Sequence, residues 1–224
     1  GSAPHESESA AVGSEREEQE PERRSQEAKL HVGVRWCQVW DVLNSDARVR
    51  AAYAEGAGIY RIVPEAVAIP TGVDDLVALA RQATATKTAL IPRGAGSGMA
   101  GGNVGPGIIV DLSSGFSDLT VDPQRRTARA GASVTCARIN DAARPYGLRL
   151  PPDPSSGLFA TSGGMVSTNA SGPRTVRYGS VRRWVDALEI VEADGTVRTV
   201  KREAGSGKGF SLTAEQKRLI AERF

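Results

Sequence analysis

The chain has 224 residues, 40% of them hydrophobic, enough for one large domain or two small ones around a real core. A net charge of +2 implies no polyanion partner by itself, and 5% aromatics beside 25 glycines point to backbone-lined surfaces rather than aromatic stacking platforms. Cys37 and Cys136 lie far apart with no Cys-x-x-Cys, and histidine occurs only at His5 and His31, which argues against a zinc or iron–sulfur site within the chain and against a histidine base in its folded part.

In chain order, the first 29 residues carry eight Glu against three Arg and one Lys, a net −4 that leaves +6 for the remainder. Rich in Glu, Ser, Gln and Pro and without apolar periodicity, residues 1–30 cannot bury enough apolar surface to offset their ordering entropy, so a disordered acidic tail is expected. No apolar core follows the charged start as in a signal peptide, and no run of about 18 apolar residues suits a membrane span. A cytoplasmic location, or one peripheral to a membrane, is expected, and the two cysteines read as buried free thiols in a reducing compartment. The chain starts with Gly1 rather than Met, so a missing or processed N-terminus is expected. Residues 31–58 form a helical N-terminal segment in this reading: Trp36, Val39, Trp40, Leu43, then Val49, Ala52 and Tyr53 predict an amphipathic helix over 32–57.

Residues 59–224 read as one α+β domain. A strand at 67–70 precedes a helix that Thr71 or Gly72 caps, with Asp74 and Asp75 in its first turn and Val73, Leu76, Val77 and Ala80 on its buried stripe. A strand at 88–92 follows, and this β–helix–β order predicts a parallel pair joined by a right-handed crossover. A glycine-rich loop over 94–107 leads to a buried strand at 108–112. Short strands at 119–122 and 127–131 flank a turn at Pro123, and a helix over 134–144 is stopped by Pro145 and Gly147. Residues 150–157 are turn-rich, and a second glycine-rich stretch covers 162–172. Strands at 187–192 and 196–200 flank Asp194-Gly195, a strong hairpin signal. A loop over 205–209 and a helix over 213–224 end the chain.

The two glycine stretches carry the chemistry. The first reads Pro92-Arg93-Gly94-Ala95-Gly96-Ser97-Gly98-Met99-Ala100-Gly101-Gly102. Glycine at this density lets the backbone approach a ligand closely, and successive amides turned inward make a nest for an anion, a diphosphate above all. Gly96, Gly98 and Gly101 fit the spacing of the Rossmann fingerprint, but that fingerprint needs a helix to open at the loop, and this loop runs on through Pro106 into a strand. No lysine follows as a P-loop requires. The second stretch, 151–172, offers hydroxyl and amide donors beside exposed backbone, with Met165 and Val166 available to pack on a flat ring. The expectation is that backbone amides of both stretches converge on one diphosphate.

In this order, Ile69-Pro70, the Pro-Arg-Gly-Ala-Gly-Ser-Gly loop, residues 110–113, 130–132 and 147–154, the run 163–172, Arg177-Tyr178-Gly179 and residues 191–195 resemble the PCMH-type FAD-binding domain. That domain is shared by vanillyl-alcohol oxidase, p-cresol methylhydroxylase and the glycolate/D-lactate dehydrogenase group. The large D-2-hydroxyacid dehydrogenases fused to an iron–sulfur domain give the nearest look, including a segment like residues 50–60.

The resemblance implies a fold of two α/β subdomains with FAD between them. It implies that Arg93, Gly94, Ala95, Gly96, Ser97 and Gly98 wrap the FAD pyrophosphate. Asp153, Thr161, Ser162, Gly163 and Gly164 line the flavin and ribityl region. Thr168, Asn169, Ala170 and Ser171 donate further hydrogen bonds, Tyr178 and Gly179 lie near the isoalloxazine, and Val191 lies on the adenine side. The sequence departs from the family at Ser97-Gly98, where relatives have Thr-Ser, and at Gly56, where they have Asp. With no histidine in either loop to attach a flavin, the FAD is expected to be non-covalent. Relatives continue past residue 224 into another FAD segment and a substrate-holding cap domain, so an incomplete domain without its cap is expected.

The resemblance further implies an FAD-linked oxidoreductase that oxidises a small 2-hydroxy acid such as D-lactate or glycolate, passing electrons to an iron–sulfur domain or a quinone chain. No catalytic base is named within the chain, and no metal site or nucleic-acid partner is expected. Arg174, Arg177, Arg182 and Arg183 are candidates for an anion-facing patch, or for a solvated basic surface. Two alternatives stay open: a non-catalytic FAD-binding remnant, and a nucleic-acid module using that arginine cluster, which lacks aromatic interleaving and a basic recognition helix.

Overall fold

The apolar run Ile108-Ile109-Val110 sits at the centre of the main sheet in a computed structural model that describes residues 42–202. The acidic tail, Cys37, both histidines, Trp36 and Trp40, the loop at 205–209 and the terminal helix all lie outside the described residues, as does the start of the predicted 32–57 helix. The described residues all belong to one of the chain's two units, residues 37–224.

The part of that predicted helix within view departs from expectation. Leu43–Asn44 is a short strand, β1, and a six-residue helix, α1, covers Ala47–Ala52. Asn44-Ser45-Asp46 causes the break. The Asn44 Oδ1 accepts from the Asp46 amide, and Asp46 then accepts from the Arg48 amide as the α1 N-cap. Side chains that bond their own backbone this way favour a turn over a continuing helix.

The main sheet has the order β1-β2-β4-β3, with β2 at Ala66–Ala68, β3 at Leu90–Arg93 and β4 at Ile108–Asp111. β1 is antiparallel to β2, and both β2 and β3 run parallel to β4. β2 and β3 are therefore parallel as expected but not paired, because β4 lies between them. All four residues of β4 are buried, so its backbone and both faces are covered only in a central position, and the long glycine-rich connection lets the chain return to take it. Helix α2, Val73–Thr86, links β2 to β3. Its N-cap is Gly72, and Thr71 acts from one residue earlier, its amide and hydroxyl both donating to Asp75 at 2.8 Å. The buried face is Leu79, Ala80 and Ala83, one turn beyond the expected stripe, with Leu76 half-buried behind it.

Ala66, Ala68, Leu79, Ile108 and Val110 form one core. A second, separate core of Cys136, Ala160, Met165 and Val181 lies further along the chain, giving the two-part α+β organisation expected. Around it run the hairpin β5 (Leu119–Asp122) and β6 (Thr127–Ala130), and helix α3 (Cys136–Ala143). Thr135 caps α3, which passes through a 3-10 turn at Arg144–Tyr146 and stops at Gly147, φ +67°. The second glycine stretch is not wholly loop: Ser162–Ser167 is helix α4. Two glycines argue locally against a helix, but the Thr161 cap and the burial of Met165 decide it. A short helix α5 (Thr175–Tyr178) and a 3-10 turn at Val181–Trp184 lead to the hairpin β7 (Ala187–Val191) and β8 (Val197–Lys201). The hairpin tip docks on α2, where Arg81 and Thr84 donate to the carbonyls of Asp194 and Ala193. No helix among the described residues is long and apolar enough to cross a membrane.

Candidate functional site

Parallel strands β3 and β4 hold the two ends of the first glycine stretch, and the stretch is anchored through its acceptors. The carbonyl of Arg93 accepts from Leu112, that of Gly96 from Ala57, that of Gly98 from the Asn103 side chain, and that of Gly101 from Val104. Arg93 turns its guanidinium back under the loop, donating to the carbonyls of Tyr53 at 3.2 Å and Asn103 at 3.4 Å and lying 5.3 Å from the Tyr53 ring centroid. At Gly96, φ +70°, a Cβ would come within 2.8 Å of that guanidinium, so the backbone wraps directly over it. The Tyr53 hydroxyl donates to Asp111, the buried carboxylate that ends β4 and also accepts from the Ser113 amide. Burial first, and the Asp111 carboxylate second, push the Tyr53 hydroxyl up to about 12, so the tyrosine stays a neutral donor. Three of the loop's carbonyls are used, and its donors are not: among the described residues, no backbone amide from Gly94 to Gly102 donates to a protein acceptor.

The second stretch meets the first at one point. A Cβ on Gly94 would collide with the Thr161 hydroxyl, so glycine is required there for the two stretches to touch. Thr161 is buried, caps α4 and bridges to Thr135. Beyond it the expected amide donors are spent within the fold: Ser162 donates to Val134, Gly163 to Ala132, and Gly164 and Met165 to Thr161. The hydroxyls of Ser167 and Thr168 bond back to the carbonyls of Gly163 and Gly164, and the Ser162 hydroxyl donates to Gly131. The two stretches thus come together as expected, but their parts differ. The first offers amides; the second, with its early amides bonded within the fold, offers a wall and the oxygen of Thr161.

Residues 64–201 match the FAD binding domain family. The chain belongs to that family. It is 36% identical over 143 residues to a D-lactate dehydrogenase of Archaeoglobus fulgidus, covering 61% of this chain and 32% of that protein. It is 28% identical over 176 residues to glycolate oxidase subunit GlcD of Escherichia coli K12, covering 78% and 35%. It is 32% identical over 157 residues to a D-2-hydroxyglutarate dehydrogenase of Pseudomonas putida, covering 68% and 16%. Among solved structures, an alkyldihydroxyacetonephosphate synthase superposes with TM-score 0.63 at 21% identity, over 86% of this chain and 36% of that one. A Physcomitrella patens BBE-like 1 variant superposes with TM-score 0.61 at 20% identity, over 71% and 35%. The chain spans about a third or less of the length of the curated relatives it matches.

FAD is the cofactor of this family, and the residues present fit it. A row of uncommitted amides on a glycine backbone suits a diphosphate, whose oxygens accept from several N–H groups at once. The buried Oδ1 of Asn103 has no protein partner among the described residues and lies against Gly56. The other expected contacts of the FAD-binding domain lie in four places. Asp153 pairs with Arg174 at 3.2 Å and packs against Gly172, lining a cavity of about 380 Å³. The Asn169 Oδ1 accepts from the Arg182 amide, and the Ala170 carbonyl from Val181, while Ser171 is exposed. Tyr178 accepts from Arg149 and packs edge-on to Trp184, with Gly179 next to it at φ +73°. Val191 lies in β7, paired with Val197, in the hairpin whose tip docks on α2.

Sequence reasoning passed over Tyr53, Asn103 and Arg149. Tyr53 fell on an apolar helical stripe and so read as packing. One signal was present: an aspartate closing the buried run Ile-Ile-Val-Asp needs a donor from elsewhere. Nothing local names that donor, since Tyr53 stands 58 residues earlier.

Proposed function

We propose that this chain is the FAD-binding part of an FAD-linked oxidoreductase that holds its flavin non-covalently and oxidises a small 2-hydroxy acid such as D-lactate or glycolate. The observation that carries the reading is the Gly94–Gly102 run, fixed by its carbonyls with its amides left over, against Thr161 of the second stretch. In this reading the amides of residues 94–98 wrap the diphosphate, and Arg93 positions them from beneath. Thr161, Ser162, Gly163 and Gly164 form the neighbouring wall, through the Thr161 oxygen and close backbone approach rather than through amides. Asp153, Thr168 to Ser171, Tyr178, Gly179 and Val191 complete the envelope by resemblance to the family.

Bound FAD would supply the hydride acceptor. The chain's part is to bind and orient it. The relatives named as dehydrogenases and an oxidase of D-lactate, glycolate and D-2-hydroxyglutarate support the substrate class. An iron–sulfur domain or a quinone chain would take the electrons, and the protein would work in the cytoplasm or at a membrane surface.

The test is the visible spectrum of the purified chain, alone and after FAD is added. Flavin bands that perturb and saturate with FAD, and that leave the pellet when the protein is precipitated with acid, are expected. A spectrum unaltered by excess FAD would favour a remnant that binds no flavin. Colour retained by the acid pellet would refute non-covalent attachment.

A further inference from the structure

Two adjoining clefts, each about 380 Å³, open beside the C-terminal end of α3 and share Arg149 and Arg174. Arg144 lines the first and Arg177 the second. Together they present four guanidiniums, of which Arg174 is paired with Asp153 and Arg144 with Asp141 just outside the cleft.

Arg149 and Arg177 are held in place by one ring, with donors to spare. Arg149 donates one N–H to the Tyr178 hydroxyl at 2.9 Å and lies 5.2 Å from that ring's centroid. Arg177 lies 5.3 Å from the same centroid, so two cations share one ring. The ring is itself fixed, edge-on to Trp184, whose indole N–H donates to the Tyr178 carbonyl at 3.0 Å. Arg174, which lines both clefts, contacts Asp153 through Nε at 3.2 Å. Asn140, the remaining polar side chain of the first cleft, is spent on the Leu150 amide and the Cys136 sulfur. Leu148, Leu150, Pro173 and Val176 supply apolar wall.

We infer that these joined clefts bind a small organic oxyanion carrying two negative charges. Like charges crowded into a concave surface raise the local concentration of anions, and stacked guanidinium forks match carboxylate or phosphoryl oxygens with little further loss of freedom. The apolar walls suit a ligand with a short carbon body. The dicarboxylate and the phosphorylated source share this chemistry and are separated by titration. Asp153 and Tyr178 also stand in the proposed flavin envelope, so the inference rests in part on that reading, and binding of the anion is measured separately from the flavin spectrum.

The full chain, with FAD present, is titrated calorimetrically with succinate, with inorganic phosphate and with D-lactate at two salt concentrations. Saturable binding of succinate or phosphate is expected, at least tenfold tighter than D-lactate and weaker at high salt; the tighter of the two names the source. Arg149→Gln and Arg177→Gln should each weaken it at least tenfold without changing the melting transition, whereas Arg125→Gln, which removes an equal charge from the exposed β5–β6 turn, should not weaken it. Absence of saturation, or equal losses in all three variants, would overturn the site. Tighter binding of a short oligonucleotide, lost in the Arg149 and Arg177 variants alike, would overturn the small ligand in favour of an extended polyanion surface.

Discussion

At the scale of single residues, the site depends on one close approach and one buried network. In Gly94→Ala the new methyl must displace the Thr161 hydroxyl, a side chain fixed by its role as the α4 cap. Overpacking of this kind costs roughly 1–3 kcal/mol, and FAD affinity should fall at least tenfold as the loop moves. Removing the obstacle gives the check. Thr161→Ala alone loses a cap worth about 0.5–2 kcal/mol, so the double variant should be more stable than the two single costs summed would allow. Strict additivity in urea unfolding would show that the two stretches do not meet. The second prediction concerns Tyr53. Its neutral form is favoured in the fold by burial and by Asp111, so the folded value lies near 12 against an ordinary 10. The folded state therefore binds that proton more tightly than the unfolded state. The stabilisation is complete below pH 10 and is lost as pH rises towards about 12. Tyr53→Phe should cost about 1–3 kcal/mol at neutral pH, and the gap between the two proteins should close across that alkaline window. A gap that stayed constant would show that the hydroxyl does not titrate against Asp111.

At the scale of elements, what reached the sequence was whatever a short window encodes. The β5–β6 and β7–β8 hairpins, the α2 first turn with Asp74 and Asp75, and the end of α3 at Pro145 and Gly147 were all legible, because turn chemistry and apolar periodicity are local signals. Two features were not. Helix α4 carries Gly163 and Gly164, whose propensity argues for loop, and only burial of Met165 in the second core reverses it. The insertion of β4 between β2 and β3 is a choice among registers that no single strand records, although the unbroken Ile-Ile-Val run is what a strand with two neighbours requires. That central position carries its own prediction. Ile109 is fully buried, so Ile109→Ala should cost roughly 2–5 kcal/mol in urea unfolding. Because β4 and β3 hold the ends of the glycine stretch, FAD affinity should fall in the same variant even where it remains folded. Unchanged affinity in a destabilised Ile109→Ala would show that the stretch is shaped by its own contacts rather than by the sheet.

At the scale of the whole molecule, the amides from Gly94 to Gly102 have no protein acceptor among the described residues, and the two parts of the fold touch there through Gly94 and Thr161. A ligand seated on those donors and against that wall binds the folded chain and has no counterpart on the unfolded one. Its binding free energy must then appear as stability, about 2.7 kcal/mol at a free concentration one hundred times Kd. For a domain of this size, each kcal/mol moves the midpoint by roughly 2–4 °C, so saturating FAD should raise the melting temperature by about 5–11 °C. The rise should continue with the logarithm of FAD concentration rather than reach a plateau at equal molar amounts. The separate contributions can be read from truncated ligands. If the glycine amides hold the diphosphate, ADP should reproduce part of the shift and riboflavin, which lacks phosphate, much less. Gly94→Ala should suppress the ADP shift together with the FAD shift. A riboflavin shift equal to that of FAD would move the binding energy away from the glycine stretch and onto the ring-facing residues of the second part.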